Sequence, residues 1–304
     1  MAVINTGLVE AGLKSEFFAR YDEIPGAYQR LATRVVSTKD GEKYNFLGTV
    51  PQMREWGNGR LARGLRSESY SVENQKYETT IEVDRDEIDD DQTGQIRIRV
   101  AEMAHRAATH KDRLISELLI NGESAGYHSY DGVPFISDAH VSGDSGAQSN
   151  KLTYDAAAPD APTVSEFRAA LAQAMAAMMA FKDDQGEPMV VRSTDFIIVT
   201  APQLHFTARE VVSATLFENT NNTFKMAADP IVLPWLTDAS KWYLCHVGAP
   251  IRPFVFQDRM PIEFGAQEED SSEGFKNERF LYGVRARYAM AYGYWQYCVR
   301  TDFI

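Results

Sequence analysis

Several groups of residues in this sequence have types and spacing that could do chemistry, each implying a different reaction. Gly143, Asp144, Ser145 and Gly146 match the nucleophile tetrapeptide of chymotrypsin-like proteases, with Asp138 and His140 just upstream as a carboxylate and a base. Acyl transfer at such a serine needs a histidine and an aspartate brought to it from far upstream in a two-barrel fold. Here polar loop flanks the serine and a helical pattern precedes it, so the tetrapeptide reads as a turn. A serine hydrolase using Ser145 is the rival reading from another functional class. Glu82, Asp84, Asp86, Glu87, Asp89, Asp90 and Asp91 could ligate a calcium or magnesium ion, but the glycine and terminal glutamate of an EF-hand loop are missing. The run reads instead as the acid-rich start of a helix, favoured by the helix dipole. His105 and His110 are five residues apart and so cannot share a face as an i, i+4 metal pair does. Cys245 and Cys298 lie far apart without Cys-x-x-Cys or Cys/His spacing, which argues against a zinc site or a disulfide framework and leaves buried thiols. No GxxxxGK(S/T) loop occurs, and Gly57, Gly59 and Gly64 do not fit a dinucleotide fingerprint. No catalytic constellation forms, and no metal or cofactor is expected.

The remaining candidates are of another kind. Residues 51–67 read PQMREWGNGRLARGLRS, seventeen residues that set Arg54, Trp56, Arg60, Arg63 and Arg66 among glycines. That is longer than an ordinary hairpin loop, which marks the segment as functional or ordered by a partner. Guanidinium groups and an indole offer no nucleophile. They are the types enriched at interface hot spots, and arginine pairs bidentately with a neighbour's carboxylates. Four arginines against Glu55 make the segment locally +3. The whole chain carries −12, yet residues 1–85 balance at 12 Lys+Arg against 12 Asp+Glu, so the entire excess lies in residues 86–304. A basic segment thus belongs to an acidic body. This disfavours general binding of nucleic acid by phosphate neutralisation and points to copies of the same chain as partners.

The elements that must position this segment are legible from hydrophobic period. Leu8, Leu13 and Phe17 recur at near-helical intervals before Pro25 and Gly26, giving a short amphipathic arm whose apolar face must dock. Alternation over 70–83 predicts strand with a break near Asn74 and Gln75, and KYNFLGTV upstream supplies an antiparallel mate. Ile96, Val100, Met103 and Ala107, resumed by Leu114 and Leu118, predict a helix of about 25 residues closed by a left-handed cap at Asn121 and Gly122. Residues 127–162 read as turns. Thr163 and Glu166 form a capping box ahead of a helix with Val164, Phe167, Leu171, Met175 and Met178 on one face. DFIIVTAP predicts a buried strand, Pro202 opens another helix, and WYLCHVGAPIRPFVFQDRMPIEFG predicts short strands broken by prolines. The aromatic-rich end, FLYGVRARYAMAYGYWQYCVRTDF, reads as long strands. With 44% apolar residues in 304, a packed core is expected, in one large domain or two. No run of eighteen or more apolar residues occurs, and charges interrupt what would be a signal peptide's apolar centre. A soluble chain, neither exported nor membrane-bound, is expected.

Taken in order, these elements resemble the major capsid proteins of tailed phages, with the HK-97-type fold, and more narrowly the Mu-type phage major head subunits. LGTVPQMREW, VDRDEIDDDQ, YDGVPFISDAH and YGVRARYAMAYGYWQ carry the resemblance, which runs nearly the full chain. It implies an α+β architecture with an N-terminal arm in 1–42, an extended β-hairpin loop in 43–84 and a peripheral domain with a long spine helix in 85–152. An axial domain in 153–247 and a return to the peripheral domain with closing strands in 248–304 complete it. The resemblance further implies a structural protein without enzymatic activity, assembling with itself as hexamers and pentamers into an icosahedral shell around double-stranded phage DNA held without sequence-specific binding. The loop, through Arg54, Trp56, Gly57, Gly59, Arg60, Arg63 and Arg66, would lie across one neighbouring subunit, and the arm, through Leu8, Leu13 and Phe17, would embrace another. Other implied partners are a scaffold and maturation protease, a portal and a decoration protein. The implied location is the virion capsid, assembled in the host cytoplasm. An encapsulin-like shell of the same fold, enclosing cargo enzymes instead of DNA, is the nearer alternative.

Overall fold

The computed structural model describes residues 6–44, 70–89, 94–217, 219–268 and 271–304. The arm is helix α1 (Thr6–Asp22), and a single further turn, Tyr28–Leu31, leads into strand β1 (Ala32–Val36). Strands β2 (Gly41–Tyr44), β3 (Tyr70–Glu73) and β4 (Gln75–Asp84) come next. Helix α2 (Gln95–Asn121) has 27 residues, a length of about 40 Å at 1.5 Å per residue. Ile96, Val100, Met103, Ala104 and Ala108 are buried along it at the amphipathic period. Further on Ile115 and Leu119 are fully buried, while Leu114 and Leu118 are only half-buried. The expected face is therefore off by one residue in the second half: the helix passes from the hydrophobic cluster that takes Ile96, Val100 and Met103 to a different one that takes Ile115 and Leu119, and the buried face turns with it. The left-handed cap is also absent: Gly122 has φ −59° and ψ −18°. A Cβ there would stand 3.0 Å from Ile136 Cγ1, so the glycine gives that side chain room, and the Gly122 carbonyl accepts the Ile136 N–H at 2.8 Å.

The chain continues through β5 (Lys151–Tyr154), α3 (Val164–Ala180), β6 (Phe196–Thr200), α4 (Pro202–Ser213), β7 (Asp229–Val232) and β8 (Lys241–His246). It ends with β9 (Phe254–Gln267), β10 (Arg279–Tyr292) and β11 (Cys298–Phe303). The capping box of α3 forms: Thr163 Oγ1 accepts the Glu166 N–H at 3.3 Å, and the Glu166 carboxylate accepts the Thr163 N–H at 2.7 Å. Phe167, Leu171, Met175 and Met178 are buried on its inner face. Strand β6, buried at every residue, lies inside a five-stranded sheet of order β7-β6-β8-β11-β5, on which α3 and α4 pack. β7/β6 and β11/β5 are parallel, and β6/β8 and β8/β11 antiparallel.

A second sheet, of order β1-β9-β10-β4, carries α1 and α2. The alternation over 70–83 divides at Asn74. β3 stays with β2, from Gly41↔Glu73 to Tyr44↔Tyr70, whereas β4 pairs along its whole length with β10, from Gln75↔Tyr288 to Asp84↔Arg279. β9 is one 14-residue strand where prolines predicted short pieces. Pro261 has no N–H to give, and the register with β10 shifts on both sides of Met260, so a bulge absorbs it. A small core of Leu13, Phe17, Val83, Val100, Phe280 and Tyr282 lies beneath the arm. A larger one, containing Trp242, Trp295, Phe135, Phe167 and Phe254, joins the two sheets. No described helix is long and apolar enough to cross a membrane.

Candidate functional site

The serine tetrapeptide forms a short 3-10 turn, Gly143–Ser145, between the paired segments His140–Val141 and Ala147–Gln148. Ser145 Oγ accepts the Ser142 N–H at 3.0 Å and donates to the Gly146 carbonyl at 2.8 Å. Gly143 has φ 54°, and a Cβ there would collide with the Asp184 carbonyl, so the glycine serves the turn. His140 is held elsewhere: its Nδ1 is 2.6 Å from Asp131 Oδ2, and its ring stacks on Trp295 with centroids 4.0 Å apart. Asp138 is exposed. Among the described residues no hydrogen bond joins Ser145 to His140, so nucleophile and base are not assembled. Ser145→Ala is expected to lower stability by about 0.5–2 kcal/mol through loss of the cap, as thermal denaturation would show. An altered yield of assembled protein from equal amounts of folded subunit would contradict this purely local role.

Among the described residues no three His, Cys, Asp or Glu side chains are grouped to hold a metal ion. The acid run instead serves the junction of β4 with α2. Glu82 pairs with Arg279 at 2.9 Å, Asp84 accepts the Asp86 N–H at 3.0 Å, and Glu87 lies 3.5 Å from Arg99. The side chain of Asp89, and Asp90 and Asp91 entirely, lie outside the described residues. His105 is exposed, whereas His110 Nδ1 meets the Tyr288 hydroxyl at 2.7 Å, and burial against the sheet lowers its pKa.

Arg54, Trp56, Gly57, Gly59, Arg60, Arg63 and Arg66 all lie outside the described residues; the base of their loop lies within them. There β2 and β3 pair, and a buried polar network fastens both to β9. The Tyr44 hydroxyl donates to Gln257 Oε1 at 2.5 Å, and the Gln257 amide donates to Asn74 Oδ1 at 2.8 Å and to the Val72 carbonyl at 3.3 Å. Asn74 donates in turn to Ser37 Oγ and the Lys39 carbonyl, both at 2.9 Å. The Glu42 carboxylate accepts the Thr38 N–H at 3.0 Å and the Ser37 hydroxyl at 3.1 Å, which holds its pKa below the usual carboxylate range. Gln257 is wholly buried with its amide oxygen and nitrogen both engaged. Such a satisfied network specifies one geometry, so the chain leaves β2 and re-enters β3 in a set register. Gln257→Leu is expected to remove the acceptor of the Tyr44 hydroxyl and the donor to Asn74 Oδ1 and the Val72 carbonyl, and to cost about 1–3 kcal/mol, measurable by denaturant unfolding. An unchanged midpoint would show that the network does not hold the loop base. Sequence reasoning missed Gln257, although a lone amide in the apolar run FVFQ was its signal.

The arm lies along α2 and the second sheet. Leu13 is 4% and Phe17 0% exposed, packed among Val83, Val100, Phe264 and Tyr282 of the same chain. The side chain of Leu8 lies outside the described residues. The face that the resemblance turns toward a neighbour is thus covered within the chain. An apolar stripe requires a cover, but the stripe does not say whose.

Consecutive residues of α2 grip the chain as it leaves the arm. Asp112 accepts the N–H groups of Ala27 at 3.0 Å and Tyr28 at 2.7 Å, as a cap does for a helix start. Lys111 Nζ donates to the hydroxyls of Tyr21 at 3.0 Å and Tyr28 at 3.3 Å, and stands 4.9 Å from the ring centroids of Tyr28 and Phe256. Burial alone would lower its pKa; the phenol hydrogen bonds outweigh that and raise it, so the ammonium keeps its charge among the rings. A cleft of about 890 Å³ opens beside this clamp, bounded by Tyr21, Thr33, Lys111, Arg252 and Asp258. Lys111 holds Tyr21 of the arm there, while Arg252 donates to the Ala32 carbonyl and Asp258 pairs with Arg34 of β1.

The sequence matches the family described as the Mu-like prophage major head subunit gpT over residues 7–162, 166–236 and 237–302. It is 23% identical over 287 residues to the major capsid protein of Escherichia phage Mu, covering 94% of this chain and 70% of that protein. It is also 23% identical over 302 residues to the Mu-like prophage FluMu major head subunit of Haemophilus influenzae, covering 97% of this chain and 73% of that protein. Its fold is similar to that in the procapsid of bacteriophage JBD30, with a TM-score of 0.58 and 23% identity over 99% of this chain and 77% of that one. The α+β, HK-97-type architecture expected from the resemblance is the one observed. The chain belongs to the Mu-like prophage major head subunit family and is a structural protein of phage heads, not an enzyme.

Proposed function

We propose that this chain associates with copies of itself as hexamers and pentamers and closes an icosahedral head around double-stranded phage DNA, without reading the DNA sequence. The observation that carries this reading is the fastened base of the loop. A segment with four arginines and a tryptophan issues from strands whose register Gln257 and Asn74 hold, so every copy can present it alike. Its positive charge complements the acidic excess of residues 86–304. On this reading residues 43–84 reach a neighbouring subunit, 85–152 form a peripheral domain on the spine α2, 153–247 form the axial domain, and 248–304 return through β9 and β10. Assembly would take place in the host cytoplasm with a scaffold and a maturation protease, and a portal and a decoration protein would join the shell. Expression of the chain alone, followed by size-exclusion chromatography and negative-stain electron microscopy, tests the reading. Closed polyhedral shells, or rings of five and six subunits, are expected. A chain that stays monomeric even when a Mu-like phage scaffold is supplied would overturn it.

A further inference from the structure

Cys245 and Cys298 stand face to face. They are direct partners in the antiparallel ladder of β8 and β11, and their Sγ atoms are 3.9 Å apart with both residues fully buried. Opposed residues of an antiparallel pair have Cα atoms about 4.5–5.5 Å apart, within the span of about 4.4–6.8 Å that a disulfide bridges. Their side chains also leave the sheet on the same face. Closing a bond of about 2.05 Å therefore asks for rotation of two side chains and no change of strand register. The flanking pairs Leu244↔Val299 and Tyr243↔Arg300 hold that register. The chain has 2 cysteines, so each has one intramolecular partner.

We propose that Cys245 and Cys298 form a latent disulfide, a redox modification site that staples β8 to β11 inside the five-stranded sheet. The oxidant it fits is hydrogen peroxide, small enough to follow a brief parting of the strands. One thiolate attacks a peroxide oxygen, the O–O bond breaks, and a sulfenic acid and hydroxide result. The second thiolate then attacks the sulfenic sulfur, the S–S bond forms and a second hydroxide leaves. The two thiol protons neutralise both hydroxides, so two thiols and one peroxide give one disulfide and two waters, a two-electron oxidation of the sulfurs. Burial, with Cys245 beside it, pushes the Cys298 thiol well above its ordinary range. The thiolate is therefore scarce at neutral pH, which keeps the pair reduced in a reducing cell and makes closure faster in alkali. The capsid reading bears only on when the chain meets an oxidant, so failure of one leaves the other standing.

The test uses the full chain, as free subunit and as assembled shell, treated with hydrogen peroxide at neutral and mildly alkaline pH. The protein is denatured without reductant, alkylated with iodoacetamide and weighed intact. A mass lower by two hydrogens, no alkyl group added before reduction and both cysteines alkylated after it are expected, with faster closure in alkali and a raised melting temperature. Cys298→Ser should leave one alkylated thiol and no such mass loss. Cys245→Ala gives the same readout where serine is not tolerated in the buried site. Full alkylation of both cysteines after treatment, sulfinic or sulfonic products in place of the mass loss, or disulfide-linked dimers would each overturn the proposal.

Discussion

Subunits carrying Arg60→Glu, Arg63→Glu and Arg66→Glu together are expected to stay folded and to form no shells. Each reversal changes the charge by −2, so the chain passes from −12 to −18 and the loop segment from +3 to −3. If the loop meets an acidic neighbour, steering becomes repulsion, and like charges brought together at an interface cost several kcal/mol. A shell repeats that contact in every subunit, so the loss is all-or-none in yield. Folding should persist, because charged side chains in a polar, glycine-rich segment are ordinarily exposed and each reversal keeps the position charged. Circular dichroism and chromatography would report the monomer, and negative-stain microscopy the shells. High salt should restore part of the assembly, since at about 1 M the screening length falls to roughly 3 Å. Normal shells at physiological salt would sink the electrostatic role of the loop.

Arg300→Ala is expected to be the most damaging single polar substitution, at about 3–5 kcal/mol. The Arg300 side chain is 4% exposed in β11 and donates to Glu123 and to Asp302, both at 2.8 Å. Glu123 follows the end of α2 and also pairs with Lys151 of β5, so one guanidinium ties the spine helix to the five-stranded sheet. Removing it leaves the Asp302 carboxylate, itself only 14% exposed, without its counter-charge. Denaturant unfolding of Arg300→Ala, Glu123→Ala and the double variant measures the coupling; additive losses would show that the tie between helix and sheet is not real. Glu123 also sets a pH dependence. Its hydrogen bond from Lys151, with help from Arg300, holds its pKa below the ordinary carboxylate value. Because the folded value is the depressed one, the stabilisation is present at neutral pH and is lost as pH falls through that value. With Glu123 about half exposed, solvent screens the effect.

Local chemistry is readable in the sequence wherever one segment contains its own reason. The Thr163 and Glu166 box, the continuous apolar run of β6, Pro202 at the start of α4 and the length of α2 all depend on residues within a few positions of one another. The absence of assembled chemistry at Ser145 was legible for the same reason, since its flanks already read as turn. Pattern went astray where a neighbour decided the outcome. Gly122 looked like a left-handed cap but makes room for Ile136. Pro261 looked like a strand breaker but sits at a bulge tolerated by β10.

The sequence by itself determined the class of this protein: an acidic, globular α+β chain with a basic loop, a long amphipathic helix and no constellation for catalysis. Period, composition and local capping are properties of residues close together in the chain, and they act whatever surrounds them. Only the tertiary structure decided what covers the apolar face of the arm, which strand pairs with Gln75–Asp84, and how Gln257 fastens the loop base. It alone also set Arg300 against Glu123 and Cys245 against Cys298. These contacts join residues 53 or more positions apart. Their geometry follows from sheet order and register, set by packing of the whole chain and not by the spacing of the residues that meet.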